Sequence, residues 1–180
     1  MKRTIKKVAV LGSGVMGSRI ACHFAGVGLQ VLLLDMVPKE ATESTKPAER
    51  NKLVNDSLTA AIKSNPSPVY HKDVIKRIST GNFDDNMKDI AGYDWIIEVV
   101  VERLDIKKII YDKVEQFRKP GTLVTSNTSG IPIHMMAEGR SDDFKKHFAG
   151  THFFNPPRYL RLLEIIPTPY TDPEVTSFLM

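Results

Sequence analysis

Lys6-Lys7-Val8-Ala9-Val10-Leu11-Gly12-Ser13-Gly14-Val15-Met16-Gly17 is the stretch that decides the fold. An apolar run suited to a strand buried on both faces meets glycines at 12, 14 and 17. Residues 15–27 then follow helical periodicity, and Gly28 is placed to end that helix. Gln30-Val31-Leu32-Leu33-Leu34-Asp35 is a second buried strand closing on an acid. Strand, glycine turn, helix, strand and acid together open a dinucleotide-binding unit. Gly12 permits the tight turn, Gly14 lets backbone approach a pyrophosphate, and Gly17 lets helix and strand pack closely. The first helical turn, Val15 and Met16 included, offers free N–H groups and a partial positive charge to phosphates. Asp35 lies about 20 residues beyond the loop, where an acid accepts hydrogen bonds from a ribose diol. It would repel a 2′-phosphate, so NAD is expected over NADP; Lys39, close in sequence, softens that preference. A glycine-bearing surface turn with a capping Asp is the bland alternative.

Further along, Pro38 suits a first helical turn. Residues 40–50 are polar and contain Pro47, so a loop or broken helix is expected. Residues 51–63 read as a helix with Leu53, Val54, Leu58, Ala61 and Ile62 on one face. Asn65-Pro66-Ser67-Pro68 breaks it. Residues 69–78 suggest a short helix and 78–81 a short strand. Residues 95–101 form a strand of the buried type, and 105–117 a helix turning Ile106, Ile109, Ile110 and Val114 inward. Strands are expected at 122–126, 149–153 and 162–166, with a short helix at 133–138. The pattern is α/β, a Rossmann-type doubly wound, mostly parallel sheet.

The chain has 180 residues, 42% of them hydrophobic, and a formal charge of +4. That fits one α/β domain, perhaps with a short extension. Much of the charge sits in Lys2, Arg3, Lys6 and Lys7, which read as a solvated strand entry or as a site attracting anions. No nucleic-acid motif stands out, and no metal site is expected. Cys22 is the only cysteine, so no internal disulfide can form. It reads as a buried inert thiol, and a reducing, cytoplasmic compartment is expected. No apolar run is long enough to span a bilayer, and the early first strand leaves no room for a signal peptide. Thr171-Asp172-Pro173-Glu174 matches a helix start with Thr as cap. The helix it opens has little to hold it, so the chain is expected to be the front piece of a longer protein.

Two late blocks carry chemistry. His152 precedes the rigid turn Phe153-Phe154-Asn155-Pro156-Pro157. Glu164 sits among aliphatics in Leu162-Leu163-Glu164-Ile165-Ile166, where burial without a partner is costly. Adjacent strands would pair it with His152, fixing the imidazole tautomer. A purely structural His–Glu bond, or pairing of Glu164 with Arg158 or Arg161, stays open on spacing alone. Ser126-Asn127-Thr128-Ser129-Gly130 follows a strand at the edge where open sheets bind ligands. Its hydroxyls could meet a substrate oxygen or merely cap a helix. Glu102 and Lys107 follow the 95–101 strand, Glu102 towards the cofactor side; a surface pair is the alternative.

On these blocks the chain resembles the NAD-binding domain of L-3-hydroxyacyl-CoA dehydrogenases, which act in fatty-acid β-oxidation. The resemblance spans essentially all 180 residues. It implies that His152 is the general base taking the 3-hydroxyl proton, that Glu164 orients it, and that Ser129 hydrogen-bonds the reacting oxygen and lies near the cofactor. It implies that Asn155, Glu102 and Lys107 contact NAD. It also implies that Ser57 touches the acyl-CoA; the Lys of a second such contact falls at Ser64, with Lys63 adjacent. Three differences stand out. Residues 42–50 are longer and more broken than in the short two-domain enzymes. Ser129 is followed by Gly130 rather than a second Ser. The C-terminal helical domain, which supplies a catalytic Asn, part of the acyl-CoA cleft and most of a homodimer interface, is absent. The expected activity is oxidation of (3S)-3-hydroxyacyl-CoA. An NAD-binding module inactive alone, or a dehydrogenase of another β-hydroxy acid, are the competing expectations.

Overall fold

A computed structural model describes residues 3–43 and 45–180; the expected contribution of Lys2 lies outside them. Seven strands form one sheet in the order β3-β2-β1-β4-β5-β6-β7. They are β1 (Lys7–Leu11), β2 (Gln30–Asp35), β3 (Ile78–Asn82), β4 (Trp95–Glu98), β5 (Leu123–Ser126), β6 (Phe148–Phe153) and β7 (Leu163–Pro167). The first six run parallel and β7 pairs antiparallel with β6. Strand order reverses between β1 and β4, so a crevice opens outside their carboxyl ends.

Alternation along β1 sets the two layers. Val8 and Val10 pack into one core with α1 (Val15–Gly26), α3 (Lys52–Lys63) and α7 (Pro173–Leu179). Ala9 and Leu11 pack into the other with α4 (Leu104–Phe117), α5 (Ile133–Ala137) and α6 (Asp142–Lys146). Helices thus cover both faces, which is why the central strands are continuously apolar. Among the described residues, no helix is long and apolar enough to cross a membrane.

Several expectations are corrected. Pro38 opens only a turn, closed by Ala41 N–H donating to Pro38 O; the helix starts at Pro47, in α2 (Pro47–Arg50). Buried Arg50 decides this, because it binds Asp85 through two nitrogens and holds the Thr42 carbonyl. Residues 72–77 form a 3-10 helix. Leu53 and Ile109 point outward, 39% and 54% exposed. In α4 the inward face is Lys107, Ile110, Tyr111 and Val114, rotated by the buried polar partners of Lys107 and Tyr111. β4 stops at Glu98 instead of running to Val101, since the Glu98 carboxylate takes the Val100 N–H that a ladder would use. α6 was not expected, although Ser141 caps it by accepting from Phe144 N–H. The cap of α7 is Asp172, accepting from Glu174 N–H at 2.8 Å, not Thr171. Nor is α7 unsupported: Val175 is fully buried in the sheet core.

Candidate active site

The glycine turn is built by contact. Gly12 has φ +106°, and a methyl group there would lie 2.6 Å from Val99 O. A methyl at Gly17 would lie 1.8 Å from Gly12 O. Around Gly14 nothing lies within 4 Å of the added position, so its backbone faces open space. No side chain caps α1, which leaves its first-turn N–H groups facing that space with Val15, 66% exposed. Met16 turns its side chain into the core instead.

Asp35, at the end of β2, closes the turn. Its Oδ2 accepts from Ser13 N–H at 2.7 Å and Ser13 O–H, and its Oδ1 from Met36 N–H at 2.7 Å. A carboxylate has about four acceptor positions, so one on Oδ1 stays open. Beside it a cleft of about 360 Å³ is lined by Met36, Phe83, Val99, Ile106 and Ile110. Its apolar walls fit a flat ring such as adenine, and the acid fits the adjoining ribose. The residues present therefore suit a dinucleotide.

On the same carboxyl edge, His152 of β6 faces Glu164 of β7 in register. His152 Nδ1 lies 2.7 Å from Glu164 Oε2. Glu164 is not the buried acid expected from its apolar neighbours. β7 is the sheet's outer strand, and the Glu164 side chain is 50% exposed against 20% for His152. Arg158 goes elsewhere, donating to Ser67 O. With Nδ1–H on the carboxylate, Nε2 keeps its lone pair and can accept a proton. Phe154 packs against the imidazole at 4.6 Å. Asn155 Oδ1 accepts from Arg19 Nη1 at 2.6 Å, so the turn after β6 is fastened to α1.

The loop after β5 completes the edge. Asn127 Oδ1 accepts from Phe153 N–H at 2.9 Å, fastening the loop beside His152. Glu102 Oε1 gathers the N–H groups of Ser129, Gly130 and Ile131 at 3.0–3.3 Å and the Thr128 hydroxyl. Partial burial raises the Glu102 carboxyl, but these donors and the Lys107 charge outweigh it and hold its pKa at about 2. Ser129 is exposed, with its hydroxyl uncommitted among the described residues.

Beneath that loop lies a network the sequence reading missed. Glu98, fully buried, accepts from Lys107 Nζ at 2.7 Å, Tyr111 O–H at 2.8 Å, Ser126 O–H at 2.6 Å and Val100 N–H at 2.7 Å. Lys107 is equally buried and also reaches Glu102 at 3.4 Å. Burial first, then the Glu98 charge, pushes the Tyr111 hydroxyl well above its ordinary range. The signal was present, since Trp95-Ile96-Ile97-Glu98-Val99 puts a carboxylate among aliphatics. Glu98 is the carboxylate that such surroundings bury, whereas Glu164 on the outer strand stays half exposed. Of the substrate candidates, Ser57 lines a second cleft, between α1 and α3, and Ser64 lines it too; exposed Lys63 does not. Burial pushes the Cys22 thiol up to about 11, which leaves it inert.

A parallel sheet wound both ways, with a glycine turn at its switch point and an acid ending the second strand, defines a dinucleotide-binding domain. The family described as 3-hydroxyacyl-CoA dehydrogenase, NAD binding domain, matches residues 7–180, and the chain belongs to it. NAD is the cofactor of that family. A Bacillus subtilis protein named "Probable 3-hydroxyacyl-CoA dehydrogenase" is 50% identical over 99% of this chain and 24% of its own length. A Deinococcus radiodurans protein of the same name is 46% identical over 96% of this chain and 48% of its own. The crystal structure of 3-hydroxybutyryl-CoA dehydrogenase from Escherichia coli K12 superposes with a TM-score of 0.73 at 31% identity, covering 98% of this chain and 35% of that one. The chain therefore spans a quarter to a half of the length of these curated relatives.

Proposed function

We propose that this domain, 1–180, oxidises (3S)-3-hydroxyacyl-CoA to 3-ketoacyl-CoA in fatty-acid β-oxidation, as part of a cytoplasmic enzyme completed by a helical C-terminal domain that would carry a homodimer interface. The observation that supports it most is the 2.7 Å contact between His152 Nδ1 and Glu164 Oε2 at the edge shared with the glycine turn. When bound, NAD supplies the hydride acceptor. The rest falls to this chain. Nε2 of His152 takes the hydroxyl proton as the C–H bond breaks. Glu164 holds the ring in the tautomer that leaves Nε2 free and stabilises the imidazolium. Ser129, on the loop gathered by Glu102, donates to the oxygen as it becomes a carbonyl. Asp35 and the Gly12–Gly17 turn hold the dinucleotide, with Asn155 at the nicotinamide end and Glu102 beside it; Lys107, expected at the cofactor, is fully buried and acts through Glu102. Ser57 contacts the CoA portion; Ser64 lines the same cleft, and Lys63 does not.

His152→Gln is the test. Turnover of acetoacetyl-CoA with NADH should fall by about 10²–10⁴-fold with NADH affinity nearly unchanged. Undiminished turnover would remove His152 as the base.

A second reading rests on the fraction of the relatives that the chain spans. The domain alone would bind NAD yet turn over little, because part of the acyl-CoA cleft lies on another domain. NADH binding without turnover by this chain supports that reading, and turnover at the rate of a two-domain relative rejects it. Comparing acyl-CoA chain lengths with free β-hydroxy acids separates the remaining alternative.

A further inference from the structure

We infer that Asn127 is a positioning residue: its side-chain oxygen ties the Ser129 loop to the strand of His152 and so fixes the spacing between the two groups that meet the reacting oxygen. The roles of His152 and Ser129 rest on the proposed function; the tie itself does not.

β5 and β6 pair only as far as Ser126 opposite Gly150, yet β6 runs on to Phe153. Beyond that last rung β6 has no strand beside it on the β5 side. Asn127, the first residue after β5, replaces the missing rung with a side chain, its Oδ1 accepting from Phe153 N–H at 2.9 Å. A strand N–H left without an acceptor is costly, and this one belongs to the residue directly after His152. Because an N–H can only donate, the amide oxygen faces β6 and the amide nitrogen points away. Among the described residues that nitrogen has no hydrogen-bond partner.

Both ends of the tie are rigid. Asn127 N–H donates to Glu98 O at 2.8 Å, and the fully buried Glu98 side chain holds the preceding residue, Ser126, through its hydroxyl at 2.6 Å. On the other side Phe153 is buried in the sheet core, with its ring edge-on to Phe24 at 5.9 Å. A hydrogen bond between two fixed points sets a distance; one between two mobile loops would not. Ser129 stands two residues beyond Asn127, and His152 one residue before Phe153, so little slack lies between the tie and either group. Glu102 gathers the same loop from the β4 side, and Asn127 joins it to β6.

Asn127→Ala removes the tie, whereas Asn127→Asp keeps an acceptor in place and deletes only the amide nitrogen. Both are compared with the parent for reduction of acetoacetyl-CoA by NADH, NADH affinity, melting, and amide hydrogen exchange at Ser129, Gly130 and Ile131. In Asn127→Ala, kcat should fall by about 10²-fold, the loss that a displacement of about 1 Å brings, with KM and NADH affinity within about threefold. Melting should drop by about 4 °C or less, because one hydrogen bond is lost, and loop exchange should quicken by about tenfold. Asn127→Asp should recover most of kcat and of the exchange protection. Unchanged kcat in Asn127→Ala overturns the inference. So do equal losses in both variants, which would assign the effect to the amide nitrogen, and a fall in kcat matched by a collapse in melting, which would make Asn127 structural. If the parent binds NADH without turnover, the dehydrogenase reading of this chain alone fails and loop exchange decides the tie. Exchange that quickens in Asn127→Ala and is restored in Asn127→Asp supports it, and equal exchange in all three proteins overturns it.

Discussion

A single added methyl separates the three glycines of the turn. Gly17→Ala puts Cβ 1.8 Å from a backbone carbonyl that cannot retreat without moving β1, so the variant should fail to fold or melt far below the parent. Gly14→Ala meets nothing within 4 Å and costs about 0.5 kcal/mol as a poorer helix cap. Its methyl stands where a pyrophosphate approaches, so NADH titration should show a large loss with little change in the melting curve. The His–Glu pair behaves differently, because Glu164 is on an outer strand and half exposed. Glu164→Gln should leave the melting temperature nearly unchanged while kcat falls by about 10²-fold. A stability loss matching the activity loss would make the pair structural.

At the scale of elements, the carboxyl ends of β4 and β5 are joined through charge. Lys107→Met leaves the Glu98 carboxylate buried with its cation gone, and should cost about 3–5 kcal/mol in urea unfolding. Glu102 organises the loop above. Its folded pKa of about 2 lies below the ordinary carboxylate value of 4.5. It therefore contributes stability that is complete above 4.5 and lost as pH falls from there to about 2. The side chain is 40% exposed, so solvent screening reduces the contribution to about 1 kcal/mol. Glu102→Gln should be less stable than the parent by about that amount at pH 7, and the two unfolding curves should converge near pH 2.

Across the whole molecule, the last helix belongs to the domain. Val175 is fully buried against the α1 side of the sheet. Val175→Ala should cost about 1–2 kcal/mol and lower the melting temperature by about 2–6 °C for a domain of this size. An unchanged Tm would return α7 to the status of a frayed end. The first 35 residues were legible because strand, glycine spacing and acid are local signals set by backbone geometry. Lys107, Glu164 and Ile109 were not, because periodicity assigns a residue to a face without saying what the face meets.

From its sequence alone this protein declares a doubly wound α/β domain and a dinucleotide turn, because hydrophobic period and glycine sterics act within a few residues. Only tertiary structure decided which carboxylate is buried. Depth depends on strand order, and order placed Glu98 at the centre of the sheet and Glu164 at its rim. It also decided that Arg19 meets Asn155, 136 positions apart in the chain, a contact that no local pattern encodes.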